Sequence, residues 1–160
     1  MELKITNKKG EIFTILYDEN DHQLIRKHKW FTHKNKFTSY AETVITIENK
    51  IKYVGMHRLL LGINERSIVV DHKNGNGLDN RRCNIRPCTQ SQNLMNRACF
   101  RGISKFIGVT WDKINNKWYA SITKDKKLKN LGRYEYEKDA ANAYDKAAIT
   151  LHGEFAKLNF

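Results

Sequence analysis

Asp71 and His72 close the short apolar run Ile68-Val69-Val70, which delivers a carboxylate and an imidazole to the same strand terminus. A carboxylate at such a point can hold a hard cation, and a histidine of reference pKa about 6.5 can accept a proton at neutral pH. The chain then runs through Asn74-Gly75-Asn76-Gly77, which tolerates positive φ and so allows a tight reversal before a second short strand at Ile85. Asp79, Asn80 and Asn84 are residue types whose side chains hydrogen-bond turn backbone, so they read as supports of that loop. Thr89 stands as an N-cap before a helix starting at Gln90 and carrying Asn93. The order is strand, loop, strand, helix. Arg81, Arg82, Arg86 and Arg97 bracket the segment and, with Arg101, suit phosphate-backbone clamping. His57, in His-Arg-Leu, has two readings, a side chain that approaches the site from the preceding segment and a packed or capping histidine; the second is favoured, and His57 is left outside the catalytic set. Cys83 and Cys88, spaced C-x4-C with only Cys99 besides, make poor zinc ligands and are expected as free thiols.

Two β-rich stretches flank this segment. On the N-terminal side, Leu3-Lys4-Ile5, Glu11 to Leu16, Phe37 to Ile47 and Ile51 to Val54 read as strands, the last two joined in a hairpin across Glu48-Asn49-Lys50. Asp18 to Lys29 reads as a short helix capped by Asp18, with Leu24 and Ile25 inward, and Trp30, Phe31 and Phe37 as core aromatics. Ala98 to Lys105 is small and basic, a linker. Beyond it, Phe106 to Asp112, Lys117 to Thr123 and Lys127 to Tyr134 read as three strands. Glu137 to Leu151 follows as a helix whose alanines let it lie close on a sheet, stopped by Gly153.

The chain has 160 residues, is 40% hydrophobic and carries a formal net charge of +12. That composition supports a packed core, and the charge favours a polyanion partner, nucleic acid first, because each cation that meets a phosphate releases condensed counterions. No apolar run is long enough to span a bilayer and the first residues lack a signal peptide's apolar region, so a cytoplasmic protein with no membrane partner is expected.

The pattern V-D-H-x-N-G-N-x-x-D-N-R-x-x-N-[IL]-R followed by T-x-x-x-N, satisfied from Val70 through Asn93 without a gap, resembles the HNH homing endonucleases of mobile elements, which are ββα-metal nucleases. The resemblance implies that Asp71 and Asn93 coordinate one divalent metal, that His72 is the general base activating water, and that Asn84 ties down the loop, in the His-Asn-Asn variant of the motif. One carboxylate and one amide oxygen form a hard, sparse ligand set suited to Mg²⁺, or to Mn²⁺, and not to zinc. Phosphodiester hydrolysis needs a nucleophile at neutral pH and compensation of charge on the phosphate, which such an ion and base supply.

The C-terminal stretch resembles the AP2 DNA-binding domain. The residues that carry this are Gly108-Val109-x-Trp111, Lys117-Trp118-x-Ala120-x-Ile122, Leu131-Gly132-x-Tyr134, Ala140-Ala141-x-Ala143-Tyr144-Asp145-x-Ala147-Ala148, Gly153 and Leu158-Asn159-Phe160. The resemblance implies a three-stranded sheet with a helix on one face and duplex DNA on the other. Period-2 alternation then turns Val109, Trp111, Trp118, Ala120 and Ile122 toward the helix and Thr110, Tyr119, Ser121 and Thr123 toward DNA, with Lys126 and Lys127 at a phosphate-contacting edge. Plant AP2 sheet surfaces are rich in outward arginine, and these positions are not, so the target sequence does not carry over. Lys129 occupies an apolar slot of the third strand and leaves its register open.

The expected class is therefore α+β, with a nuclease domain over residues 1–98 whose ββα-metal motif covers about 67–98, a basic linker over 99–104, and an AP2-like domain over 105–160. The expected function is metal-dependent cleavage of double-stranded DNA, of homing type. The alternatives are a non-catalytic DNA-binding regulator with a relict HNH motif and a binder of structured RNA.

Overall fold

The computed structural model describes residues 1–35, 38–96 and 103–160, so Phe37, Arg97, Cys99 and Arg101 lie outside the described residues. The chain divides into two compact units, Met1–Gln90 and Ser91–Phe160. The architecture is mixed: small antiparallel sheets dominate the first unit, and a three-stranded sheet carries a long helix in the second.

In the first unit, β1 (Glu2–Thr6) pairs antiparallel with β2 (Ile12–Leu16). The chain then forms a 3-10 turn over Glu19–Asp21 and a single helical turn, α1 (His22–Ile25), in place of the longer helix expected from Asp18 to Lys29. Tertiary bonds explain the difference. Asp18 does not cap the turn; its Oδ2 accepts the backbone N–H of Arg82 at 2.6 Å. Trp30 Nε1 donates to the Ile25 carbonyl at 2.8 Å and leads into β3 (Trp30–Lys34), where the sequence predicts core aromatics but no strand. Trp30 does pack against the core.

β3 pairs with β4 (Ser39–Ile47), which pairs with β5 (Lys50–Gly55). The expected hairpin closes through Glu48 and Asn49 at φ of 51° and 59°, the mirror-image two-residue turn whose twist matches its strands. Helix α2 (Met56–Leu61) follows and ends on Gly62 at φ 65°. Ile15, Tyr17, Ile25, Met56, Leu60 and Val70 meet in the core of this unit. That core anchors β6 (Val69–His72) and β7 (Ile85–Cys88), an antiparallel pair in which Asp71 stands opposite Arg86 and His72 opposite Ile85.

Helix α3 spans Gln90–Met95 and carries Asn93. In the second unit, β8 (Val109–Asp112), β9 (Lys117–Lys124) and β10 (Lys127–Tyr134) form an antiparallel sheet in the order β10-β9-β8. β8 starts three residues later than expected because Gly108 sits at φ +74°. Ser104, read as the end of the linker, is buried, accepting the Phe106 N–H at 3.0 Å and donating to Glu137 at 2.8 Å.

Helix α4 (Glu137–His152) lies on the sheet through Ala140, Ala141 and Ala148, all fully buried, and stops at Gly153 with φ 56°. Alanine at these points lets helix and sheet backbones approach closely, with Val109 and Ala120 filling the contact. The unsettled register of the third strand resolves as a β-bulge between Asn130 and Gly132. The extra residue, Leu131, packs inward, and the alternation restarts with Gly132 opposite Ala120 and Arg133 opposite Tyr119.

Candidate functional site

Strand β6 ends where its apolar run gives way to two buried polar residues, Asp71 (4% exposed) and His72 (5% exposed). A carboxylate this deep needs a partner. Arg86 supplies it from the facing position on β7, donating Nε and Nη2 to Asp71 Oδ2 at 2.9 and 2.7 Å. Burial lowers the pKa of His72 below its ordinary value, while the Asn80 side chain and the Asp71 and Asp79 carboxylates pull it upward. The net result is an imidazole that is neutral at neutral pH, the form in which it accepts a proton.

The loop behind the pair is held by the residues read as supports. Asn84 Oδ1 accepts the Asn74 N–H at 3.0 Å and its Nδ2 donates to the Asp79 carbonyl at 2.8 Å, so one side chain spans the reversal. Asp79 accepts Asn74 Nδ2 at 2.8 Å and the Arg81 guanidinium at 2.8 and 2.7 Å, which holds its carboxyl below the usual range. Backbone bonds from Asn80 N–H to Leu16 O and from Leu16 N–H to Leu78 O stitch the loop to the end of β2. Asn80 is fully buried.

The arginines are committed to aspartates. Arg81 pairs with Asp79, Arg82 with Asp21 at 2.7 Å, and Arg86 with Asp71. The Arg81 and Arg82 side chains remain about half exposed, at 46% and 51%, whereas Arg86 is at 11%. Phosphate contact is therefore open to the first two in addition to their pairing, and Arg86 is placed as the partner of Asp71. Asn93, in α3, is half-buried.

Two residues that the sequence reading left out stand at the site. The rings of Tyr40 on β4, His57 on α2 and His72 on β6 form a triangle with centroids 5.1 to 5.7 Å apart. His57 meets His72 edge-on at 82°. Burial, then His72, then Arg58 push the pKa of His57 down to about 3. In the sequence it is a histidine before the apolar run Leu59-Leu60-Leu61, a pattern that favours packing or capping over a place at the site.

In the second unit Thr110 and Tyr119 are cross-strand partners on the sheet face away from α4, and Ser121 and Thr123 continue that face along β9. Lys126, at φ 63° in the β9–β10 turn, and Lys127 are both exposed. Arg133, absent from the expected set, joins this face: its guanidinium lies 5.5 Å from the Tyr119 ring centroid, and its Nε donates to Asp112 Oδ2 at 2.6 Å. Unbroken alternation would have turned it inward; the bulge turns it out. Among the described residues no helix is long and apolar enough to cross a membrane.

Comparison with known proteins gives matches confined to part of the chain and one that runs over most of it. The AP2 domain family model matches residues 104–154. The ethylene-responsive transcription factor WRI1 of Arabidopsis thaliana is 42% identical over 62 residues, 38% of this chain and 14% of that protein. APETALA2-like protein 2 of Oryza sativa subsp. japonica is 45% identical over a stretch with the same two shares. The chain thus spans only 14% of the length of these plant relatives. An uncharacterized HNH endonuclease, L560, of Acanthamoeba polyphaga mimivirus is 26% identical over 144 residues, covering 85% of this chain and 69% of that protein.

Proposed function

We propose that the chain is a metal-dependent DNA endonuclease of homing type, which hydrolyses phosphodiester bonds in duplex DNA at a site chosen largely by its C-terminal unit. The observation that carries this reading is the buried Asp71-His72 pair at the end of β6, followed by a loop held by Asn84 and Asp79. The AP2 match supports DNA binding, and the likeness to a protein named as an HNH endonuclease supports cutting.

The donor set fits a hard divalent cation. Asp71, which also accepts from Arg86, would hold Mg²⁺ or Mn²⁺ through oxygen, and the HNH resemblance names Asn93 as the second ligand. A bound ion supplies Lewis-acid compensation for charge on the phosphate and leaving oxygen. The remaining work belongs to side chains of the chain itself. The neutral ring of His72 accepts the proton of the attacking water, and Asn84 keeps its strand terminus in place. Arg81 and Arg82 meet phosphate with their exposed edges. On the sheet, Thr110, Tyr119, Ser121 and Thr123 face the DNA groove while Lys126 and Lys127 contact phosphates.

A second reading, a DNA-binding regulator with a relict motif, draws support from the Asp71–Arg86 pair, since that pair neutralises the carboxylate by itself. One experiment separates them: incubation of the full chain with supercoiled plasmid in Mg²⁺ or in EDTA. The nuclease reading expects nicked or linear DNA in Mg²⁺ only, and His72→Ala should slow turnover by roughly 10²- to 10⁴-fold with affinity within a few-fold. Binding without cleavage in either Mg²⁺ or Mn²⁺ would leave the regulator.

A further inference from the structure

The ring triangle beside the strand terminus has a property that packing alone does not require. Tyr40, His57 and His72 come from three different elements, β4, α2 and β6, and each ring touches the other two. Two glycines make room for it. A Cβ on Gly55 would lie 2.6 Å from His57 Cε1, and a Cβ on Gly77 would lie 2.6 Å from the Tyr40 ring. Gly55 has φ −68° and ψ 143°, a conformation open to any residue, so close approach of the imidazole, and not backbone conformation, is what glycine serves there. His57 Nδ1 is buried and makes no hydrogen bond among the described residues, so no polar partner of its own sets the ring's orientation at that atom. Its closest ring neighbour is His72.

We infer that His57 is a positioning residue for His72: its edge-on contact, closed by Tyr40, fixes the plane in which the His72 imidazole is presented at the end of β6. This rests on the reading of His72 as the general base. A base displaced by about 1 Å loses on the order of 10²-fold in rate, because proton acceptance depends on a narrow hydrogen-bonding geometry. The depressed pKa of His57 suits the role, since a neutral ring adds no positive charge beside a base that must itself become positive.

The test compares His57→Ala, His57→Phe and Gly55→Ala in the full chain by three readouts: kcat for Mg²⁺-dependent plasmid cleavage, Kd for DNA, and the NMR ring resonances of His72. His57→Ala removes the contact, and His57→Phe restores a flat ring. Gly55→Ala keeps the imidazole but pushes it aside without straining the backbone. The expected result is a 10- to 100-fold loss of kcat in His57→Ala and Gly55→Ala at unchanged Kd, with shifted His72 ring resonances, and recovery to within about threefold in His57→Phe. Should His57→Ala fail to fold, Gly55→Ala carries the test. Wild-type kcat in both variants, a loss confined to Kd, or His72 resonances that stay put would overturn the inference. If the wild-type chain cuts no DNA, the nuclease reading fails by itself, and the His72 resonances still decide whether His57 sets that ring.

Discussion

The first unit secures its buried carboxylates through ion pairs between segments, whereas the second sets its exposed sheet face through local alternation. Asp71 and Asp21 are buried against Arg86 and Arg82, partners 15 and 61 residues away in the chain. In the second unit the buried contact between sheet and helix is Val109, Ala120, Ala140 and Ala141, and the chemistry-bearing residues stand on the opposite face. A site that holds charge below the surface needs tertiary partners, while an exposed sheet face needs only close packing behind it. The difference makes the first unit sensitive to loss of single charges and the second to loss of close packing.

The largest stability effect should come from splitting an ion pair in the first unit. Arg86→Ala leaves Asp71 buried without that partner and should cost about 3–5 kcal/mol, read as a lowered urea midpoint. A cost below about 1 kcal/mol would show that the pair is not what anchors the strand terminus. In the second unit the corresponding probe is Gly108→Ala. Gly108 sits at φ +74°, and a Cβ there would overlap the Tyr144 ring and lie 2.7 Å from the Ser121 carbonyl. About 3 kcal/mol should be lost, with amide signals of the first unit unchanged. An equal loss in both units would remove the contrast.

These contrasts also explain what the sequence could disclose. Lys117 to Thr123 alternates without a break, its flanking turns carry Asn and Asp, and the alanine stripe from Ala140 to Ala148 announces a close helix, so β9, β10 and α4 were legible. Arg133 was missed because a one-residue bulge at Leu131 reverses every side chain after it, and no local pattern marks an inserted residue. In the first unit the Asp71-His72 terminus and the Asn84 support were legible because they lie within one continuous motif. Three features were not: the Asp71–Arg86 pairing, the bond from Arg82 N–H to Asp18 that replaces a helix cap, and the approach of His57 to His72. Each depends on the packing of segments that carry no mutual signal.

Smaller effects should separate reading from gripping. Tyr119→Ala or Thr123→Ala should cost about 1–3 kcal/mol of discrimination between target and mismatched duplexes. Lys126→Ala and Lys127→Ala should instead weaken all duplexes alike, each reducing the salt slope of log K by roughly 0.9. A sequence-specific effect of Lys126 would reverse that assignment.

The mildest probe is acid. His57 has a pKa of about 3 in the folded chain, below its unfolded value of about 6.5. The unfolded state therefore binds more protons between those values, and the first unit should lose stability as pH falls from about 6.5. In the second unit, Asp112 is held below the ordinary carboxylate range, first by Arg133 and then by Asn115. The stability it contributes is present above about pH 4 and is lost only as pH falls further. Thermal melts followed by amide signals from each unit should show the first unit softening at the higher pH. His57→Phe should shrink that early limb, leaving the share that comes from the lowered pKa of His72, and Asp112→Asn should remove the late one.

The division of cutting from addressing is tested most directly by titrating one plasmid duplex with wild type, His72→Ala and the double variant Tyr119→Ala/Arg133→Ala, recording bound and cleaved fractions together in Mg²⁺. The account expects His72→Ala to trace the wild-type binding curve with cleavage nearly abolished. It expects the double variant to bind more weakly yet reach wild-type turnover at saturating protein. Loss of binding in step with cleavage in His72→Ala, or loss of turnover at saturation in the double variant, would contradict it.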